Sequence, residues 1–400
     1  MRLRSFARSF RLDAVKPVRE TDIAIVGAGI LGLSHAYAAA LRGLRVTVFE
    51  RTGTPTGASI RNFGQVLVTG QPPGPMLALA KASRAIWQHW ASQAGFFARE
   101  AGCLLFARTD CEVAVIDEFV ETRAQSGGYD VARLDQAALG ALYDGRFAHH
   151  RAALHGREDM QVFSREALPA IIAYLRDRLG VEFVFDTLVR HVDDGYLDTT
   201  AGACRAAHIV VCSGHDYLTL LSDALAEIGP RVCRLQMLRV RPTREIALRH
   251  ALLTGLSCLH YGAFSDLPSA RALLDDVRRT APELLDAGIH LLASPAPDGS
   301  VIIGDSHDYN SDPMPFNDER VDRHLLDLAE RLFDEPLAVV QRWQGVYGSR
   351  ARHERPFSVL KASRGVTGVW MHTGVGMSVG PGLGESVMAE IVEHRMRSAA

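Results

Sequence analysis

The sequence predicts an α/β chain in which a Rossmann-like, parallel-sheet domain is interleaved with a domain built on an antiparallel sheet. Three observations predict this. Residues 21–51, TDIAIVGAGILGLSHAYAAALRGLRVTVFER, read as strand, glycine turn, helix and strand. The strand–glycine–helix order recurs over 207–225 and again over 366–394. Residues 235–241, LQMLRVR, alternate at period two, as a half-exposed strand does. Four hundred residues allow a large core and two domains. The first is drawn as 21–84, 160–229 and 341–396, the second as 85–159 and 230–340, after a basic extension over 1–20.

In chain order, the apolar run Ile23-Ala24-Ile25-Val26 has strand length, and Gly27, Gly29 and Gly32 follow as G-x-G-x-x-G. An Ala/Leu-rich helix over 30–41 stops at Gly43, and the run Val46-Thr47-Val48-Phe49 ends on Glu50. Strand, glycines, helix and terminal acid together form a dinucleotide fingerprint. Gly27 turns the chain, Gly29 leaves the backbone open to a pyrophosphate, and Gly32 lets helix and strand approach. The helix N-terminus offers N–H groups and partial positive charge to phosphates, and Glu50 offers acceptors to a ribose 2′-OH. Residues 23–41 carry no charge, but their glycines, Ser34 and His35, and the strand that follows, argue against a membrane span.

Residues 51–64 read as a glycine-rich loop without an element of its own, and Gln71-Pro72-Pro73-Gly74-Pro75 as a break. A helix follows over 76–94, with Trp87 and Trp90 on its core face. Residues 103–116 read as two strands, or a strand and a helix start, and 117–142 as helix broken at Gly127-Gly128. Further strands are expected at 181–185, 189–198, 207–214, 258–264, 289–294 and 301–304. Further helices are expected at 164–179, 217–225, 270–279 and 320–333. Near the end, a strand over 369–372 meets a loop containing Gly374, Gly376 and Gly380, and a helix runs over 381–394. Such a helix start directs donors to a site where negative charge develops. Glycine loops at both ends of one chain point to one long cofactor.

Lys+Arg 44 against Asp+Glu 46 leaves a net charge of −2, which points to neither a nucleic-acid partner nor a polybasic membrane patch. The six cysteines (Cys103, Cys111, Cys204, Cys212, Cys233, Cys258) show no C-x-x-C pair and no metal spacing. They read as reduced cysteines of a cytoplasmic protein, and no metal site is expected. Lysine occurs only at Lys16, Lys81 and Lys361.

VGAGILGLSHAYAAALRGLRVTVFER, GASIRNFG, IVVCSGHD, RWQGVYG and HTGVGMSVGPGLGE, in that order, resemble FAD-dependent oxidoreductases of the D-amino-acid oxidase, glycine oxidase and sarcosine oxidase superfamily. ASIRNFGQV, TGQPPGP and IIGDSHDY look more narrowly like a subgroup encoded beside phosphonate-breakdown genes. The resemblance implies FAD bound across an interleaved pair of domains and oxidation of a C–N bond. Hydride passes from the carbon bearing a neutral amine to flavin N5, the imine hydrolyses to a carbonyl, and dioxygen becomes peroxide. It implies a cofactor set of Gly27, Gly29, Ile30, Leu31, Gly32, Glu50, Arg51, Ser59, Arg61, Asn62, Gly64, Val189, Ser213, Gly214, Gly345, Tyr347, Gly374, Val375, Gly376 and Met377. Val346 and Tyr347 stand where the sarcosine-oxidase branch has a flavin-linking cysteine, so the FAD is expected to be noncovalent. The strand over 301–303 lacks that branch's oxygen-activating lysine, which leaves a dehydrogenase open.

An anionic amine needs a cationic partner. Arg61 leads, with a pyrophosphate contact as its equal alternative, and Arg350 and Arg352 follow. His307 with Tyr309, and His260 with Tyr261, stand at two expected strand ends and complete the candidate catalytic set. Gln236 is a further candidate for facing the ring. The expected substrate is a small amine, such as 2-aminoethylphosphonate or its N-alkyl form. The alternatives are oxidation of glycine, sarcosine or D-amino acids, a flavin monooxygenase, and a flavoprotein without catalysis.

Overall fold

The computed structural model describes residues 18–310, 314–350 and 356–399. Most of the basic extension and Arg352 lie outside them, while Arg19 and Glu20 open the first strand, Arg19–Val26. That strand is flanked in parallel by Gly202–Val211 and Val46–Phe49. Val366–Met371 and Glu182–Val184 extend the sheet, also in parallel. In register, Val26 lies beside both Phe49 and Val211, so the carboxyl ends of the three central strands share one edge. A crevice at that edge is where an open parallel sheet binds ligands.

The second sheet has nine strands, and all its pairings are antiparallel except Ala251–Thr254 with Cys103–Ala107. Its spine is the long pair Pro230–Pro242 and Leu337–Arg350. Residues 341–350, drawn above with the first domain, therefore belong to this sheet. Cross-strand pairing with Pro230–Pro242 outweighs the glycine-rich look of that stretch.

Five expected elements differ, the last helix among them. Over 117–142 the helix runs on through Gly127 and ends at left-handed Gly128. Val131–Asp135 is then a strand, paired with Ala152–Gly156. The helix expected over 217–225 shrinks to Ser222–Ala226, because the Asp216 carboxylate accepts the Leu218 and Thr219 amides in a turn. Residues 258–264 form no strand; Ser257–His260 is one helical turn. The loop over 51–64 holds a short 3₁₀ turn, Ala58–Ile60.

The last helix, Gly376–Ala399, begins five residues before Pro381 rather than at it. Proline inside a helix leaves the carbonyl four residues back without its donor. Here the buried Trp87 indole donates to that carbonyl, Met377 O, at 2.8 Å. The Ser83 hydroxyl likewise accepts the Gly382 amide at 2.8 Å. Trp87 and Trp90 thus form core as expected, and Trp87 also anchors the glycine loop. No helix among the described residues is long and apolar enough to cross a membrane.

His35, fully buried in the fingerprint helix, donates from Nδ1 to Leu31 O at 2.7 Å. Burial holds its pKa down to about 4. Below the ordinary histidine pKa the unfolded chain takes up a proton that the folded chain refuses, so this contribution is complete above about pH 6.5 and is lost as pH falls toward about 4. Between about pH 7.5 and about pH 5 the loss is roughly 2 kcal/mol. Urea unfolding of the wild type and His35→Asn at both pH values should show the variant losing less stability on acidification. Equal losses would remove His35 as a cause.

Candidate active site

The strand edge is closed by short contacts that follow from the fingerprint. Gly27 has φ +98°, and a Cβ there would stand 2.4 Å from Cys212 O. A Cβ on Gly32 would stand 1.8 Å from Gly27 O. The Glu50 carboxylate, 9% exposed, holds the loop from the next strand. Its Oε2 accepts the Ala28 amide at 2.9 Å, and its Oε1 accepts the Thr52 amide and hydroxyl at 3.1 and 2.8 Å. The Ser59 hydroxyl accepts the Ile30 amide at 2.9 Å, which ties the second loop to the helix N-terminus. Asn62 Oδ1 accepts from the Gly64 amide and the Ser164 hydroxyl and so fixes that loop's exit. The Trp370 indole donates to Ser213 Oγ, holding the turn after the third central strand.

One continuous cavity starts at this edge and ends in the second sheet. Of the expected cofactor set, Gly27, Gly29, Ile30, Leu31, Glu50, Arg51, Ser59, Arg61, Asn62, Val189, Ser213, Gly214, Gly345, Tyr347, Gly374, Val375, Gly376 and Met377 line it. Gly32 and Gly64 lie behind its wall, where close backbone contacts hold the loops in place. Arg51 pairs with Asp216 at 2.9 Å. Arg61 donates from Nε to Thr56 O at 2.6 Å. Burial lowers the His215 pKa, and the charges of Arg51 and Arg61 add to the effect, which puts both guanidinium groups by the 213–216 turn. Arg61→Ala is accordingly expected to weaken FAD binding about tenfold, the loss of roughly one charge-assisted hydrogen bond. A change confined to the KM of anionic amines, with FAD affinity intact, would place Arg61 at the substrate instead; titration of apoprotein with FAD separates the two.

At the far end, His260, Tyr261 and His307 line the cavity together with His290 and Asp305. The imidazoles of His260 and His290 stack with centroids 3.9 Å apart, and those of His290 and His307 with centroids 5.0 Å apart. Tyr309 stands just behind, its hydroxyl 3.3 Å from that of Tyr347. Burial lifts the phenols of Tyr261, Tyr309 and Tyr347 above their ordinary value. Burial also raises the Asp305 carboxyl to about 6, against the opposing pull of His307. Burial, with His260 and His307 beside it, holds His290 well below the usual histidine range. Gln236 is removed from the ring-facing candidates. It is buried away from the cavity, where its side chain bonds Asp318 and Asp322. Arg350 also lies outside the cavity wall, although its Nε is buried without a hydrogen-bond partner among the described residues.

Sequence reasoning missed His290 and Asp305. Asp305 lies inside the quoted IIGDSHDY stretch and His290 inside the expected strand over 289–294, but neither was singled out for the site. The register of Leu292 with Gly304 brings residues just before one strand beside residues just after the other. His290 thereby meets Asp305 and His307.

The residues present fit a flavin dinucleotide. The fingerprint cradles lie at one end. Toward the other, the N-terminus of Gly376–Ala399 opens on the cavity, and Thr373, on its wall, keeps a buried hydroxyl with no partner among the described residues. Residues 22–391 match the family model described as FAD dependent oxidoreductase. A protein of Rhizobium etli assigned as the thiamine biosynthesis oxidoreductase ThiO is 30% identical over 189 residues, 45% of this chain. The match spans about half of that relative's length (54%). Among solved structures, glycine oxidase from Geobacillus kaustophilus is similar with a TM-score of 0.72, at 19% identity over 94% of this chain and 95% of its own. L-proline dehydrogenase from P. horikoshii gives a TM-score of 0.75, at 16% identity over 94% and 95%.

Proposed function

Because this chain belongs to the FAD-dependent oxidoreductase family, we propose that it oxidises the C–N bond of a small amine, releasing a carbonyl compound and the freed amine. The observation that carries this reading is the continuity of one cavity from the Gly27 turn to the His307 wall. In this reading the substrate would lie beyond the cofactor's ring end, against a wall of imidazoles and phenols.

Bound FAD would supply a two-electron acceptor for the hydrogen on the carbon next to nitrogen. The chain's own residues bind, orient and screen. The cofactor would be held by the Gly27–Gly32 turn, Glu50, Ser59 and, at the other end, the 373–377 loop. The helix N-terminus at Gly376 favours negative charge beside it. His260, His307 and Tyr261 offer polar contacts that hold an amine nitrogen and fix which C–H faces the ring. The substrate class we favour is an aminophosphonate, 2-aminoethylphosphonate or its N-alkyl form. Glycine, sarcosine or a D-amino acid is the alternative, the first in line with the similar fold of glycine oxidase from Geobacillus kaustophilus.

One observation bears on the final electron acceptor. Neither described lysine, Lys81 nor Lys361, lines the cavity, so neither is placed to assist dioxygen. Dioxygen reduced to peroxide is the first reading, and a dehydrogenase with another acceptor the second. FAD-loaded protein incubated in air with each amine should yield carbonyl product, trapped by a hydrazine reagent. Peroxide in equal amount marks an oxidase; product that needs an added dye marks a dehydrogenase. Consumption of NADPH without loss of amine would replace this reading with a monooxygenase.

A further inference from the structure

We propose that His260, His290, His307 and Asp305 bind a divalent transition-metal ion, of the zinc, cobalt or nickel class, at the substrate end of the cavity. The three histidines each bring a ring nitrogen to within 4.8 Å of the others. Asp305 sits between two of them, Oδ1 at 3.6 Å from His290 Nε2 and Oδ2 at 3.9 Å from His307 Nε2. These separations are a few tenths of an ångström above the roughly 3.4 Å that neighbouring ligands keep around an ion at about 2.1 Å.

Hydrogen bonding argues for a cation in the gap. His307 Nδ1 lies 2.8 Å from Gly288 O, and a carbonyl only accepts, so Nδ1 carries the proton. The other ring nitrogen, Nε2, faces a carboxylate oxygen of Asp305. His290 Nε2 and Asp305 Oδ1 face each other 3.6 Å apart; both residues are 5% exposed, and neither atom has a hydrogen-bond partner among the described residues. Polar atoms left unpartnered in a buried place are costly, and a cation between them would satisfy both. A histidine whose outer nitrogen donates to a backbone carbonyl while its inner one faces a carboxylate has the outer-shell pattern of a metal ligand. Three imidazoles and a carboxylate suit a borderline dication better than calcium or magnesium.

Such an ion would add positive charge at an end of the cavity where no arginine or lysine among the described residues lines the wall. Arg51 and Arg61, the arginines on the cavity wall, are engaged by the 213–216 turn and the Thr56 carbonyl. His260 is the exposed member of the set, so the ion would keep an open side toward the cavity. A phosphonate or carboxylate oxygen could take that position; this consequence, unlike the metal site, rests on the proposed amine-oxidising role.

The test uses FAD-loaded protein stripped with a chelator and titrated with Zn²⁺, Co²⁺ and Ni²⁺, read by calorimetry and by elemental analysis after desalting. One equivalent should bind, and Co²⁺ should develop visible ligand-field bands beyond the flavin spectrum. His290→Ala and Asp305→Asn should weaken binding at least as much as the roughly 10–100-fold that loss of an outer-shell partner costs. His260→Ala, at an exposed position, covers the case in which the buried variants fail to fold, with retained FAD absorbance as the folding control. No metal binding, or binding unaltered in the His260 variant, overturns the proposal. Methylphosphonate perturbing the flavin spectrum equally with and without metal overturns the anion-binding consequence and leaves the metal site to be decided by the titration. Because metal binding is read without turnover, its failure is distinct from failure of the amine-oxidising role.

Discussion

Gly32→Ala should yield a protein purified without its yellow colour and with a large loss of stability. The added methyl would stand 1.8 Å from the Gly27 carbonyl oxygen, an overlap with backbone that no rotamer relieves. Either the helix Ile30–Leu41 moves off the sheet or the Gly27 turn opens, and both change the cradle of the pyrophosphate. Overpacking a tight core costs about 1–3 kcal/mol, and the backbone on both sides here puts the expected loss at the upper end or beyond. Gly140→Ala is the control: its methyl would meet only Ala148 Cβ, at 3.6 Å, within the helix Gln136–Leu142. That change should be neutral or stabilising by a few tenths of a kcal/mol. Thermal melts and the FAD-to-protein ratio after desalting decide the matter. A Gly32→Ala protein with wild-type colour and melting would refute the tight-turn account.

Glu50→Ala should cost about as much affinity for FAD, by another route. The carboxylate accepts three donors, the Ala28 amide and the Thr52 amide and hydroxyl, and so joins the fingerprint turn to the end of the neighbouring strand. Removing it strands those donors in a site that is almost closed to water. Hydrogen bonds to charged groups contribute roughly 1.5–3 kcal/mol each, and a ribose contact would be lost as well. An increase in the Kd for FAD on the order of 100-fold or more follows, since each 1.4 kcal/mol is about tenfold. Glu50→Gln should fall between, because its amide can replace one acceptor but not both. Fluorescence titration of apoprotein with FAD measures all three proteins, and an unchanged Kd for Glu50→Ala would separate Glu50 from the cofactor.

How much of this was legible in the sequence divides along the cavity. The end proposed for the cofactor is encoded by local spacing: Gly27 to Gly32 in one turn, Glu50 at the end of the next strand, Gly374 to Met377 at the start of a helix. Short-range rules read such features. The substrate end is assembled by register between strands distant in sequence. Tyr309 meets Tyr347 because both pair with Cys233 from opposite sides. His290 meets Asp305 and His307 because Leu292 pairs with Gly304. Neither the apolar run around His290 nor the stretch around Asp305 says which residues they will meet, whereas Gln236, which the sequence offered, is engaged by the helix Glu319–Phe333 and its N-cap. The start of the last helix was hidden for a related reason, since Trp87 satisfies the carbonyl that Pro381 leaves open from 290 residues away.

Anaerobic titration of the FAD-loaded protein with an amine panel tests the central claim most directly. The panel would hold 2-aminoethylphosphonate, its N-methyl form, glycine, sarcosine and D-alanine. The account predicts that at least one of them bleaches the oxidised flavin stoichiometrically without any nicotinamide cofactor. A flavin that stays yellow with every amine, yet bleaches with NADPH, would contradict it.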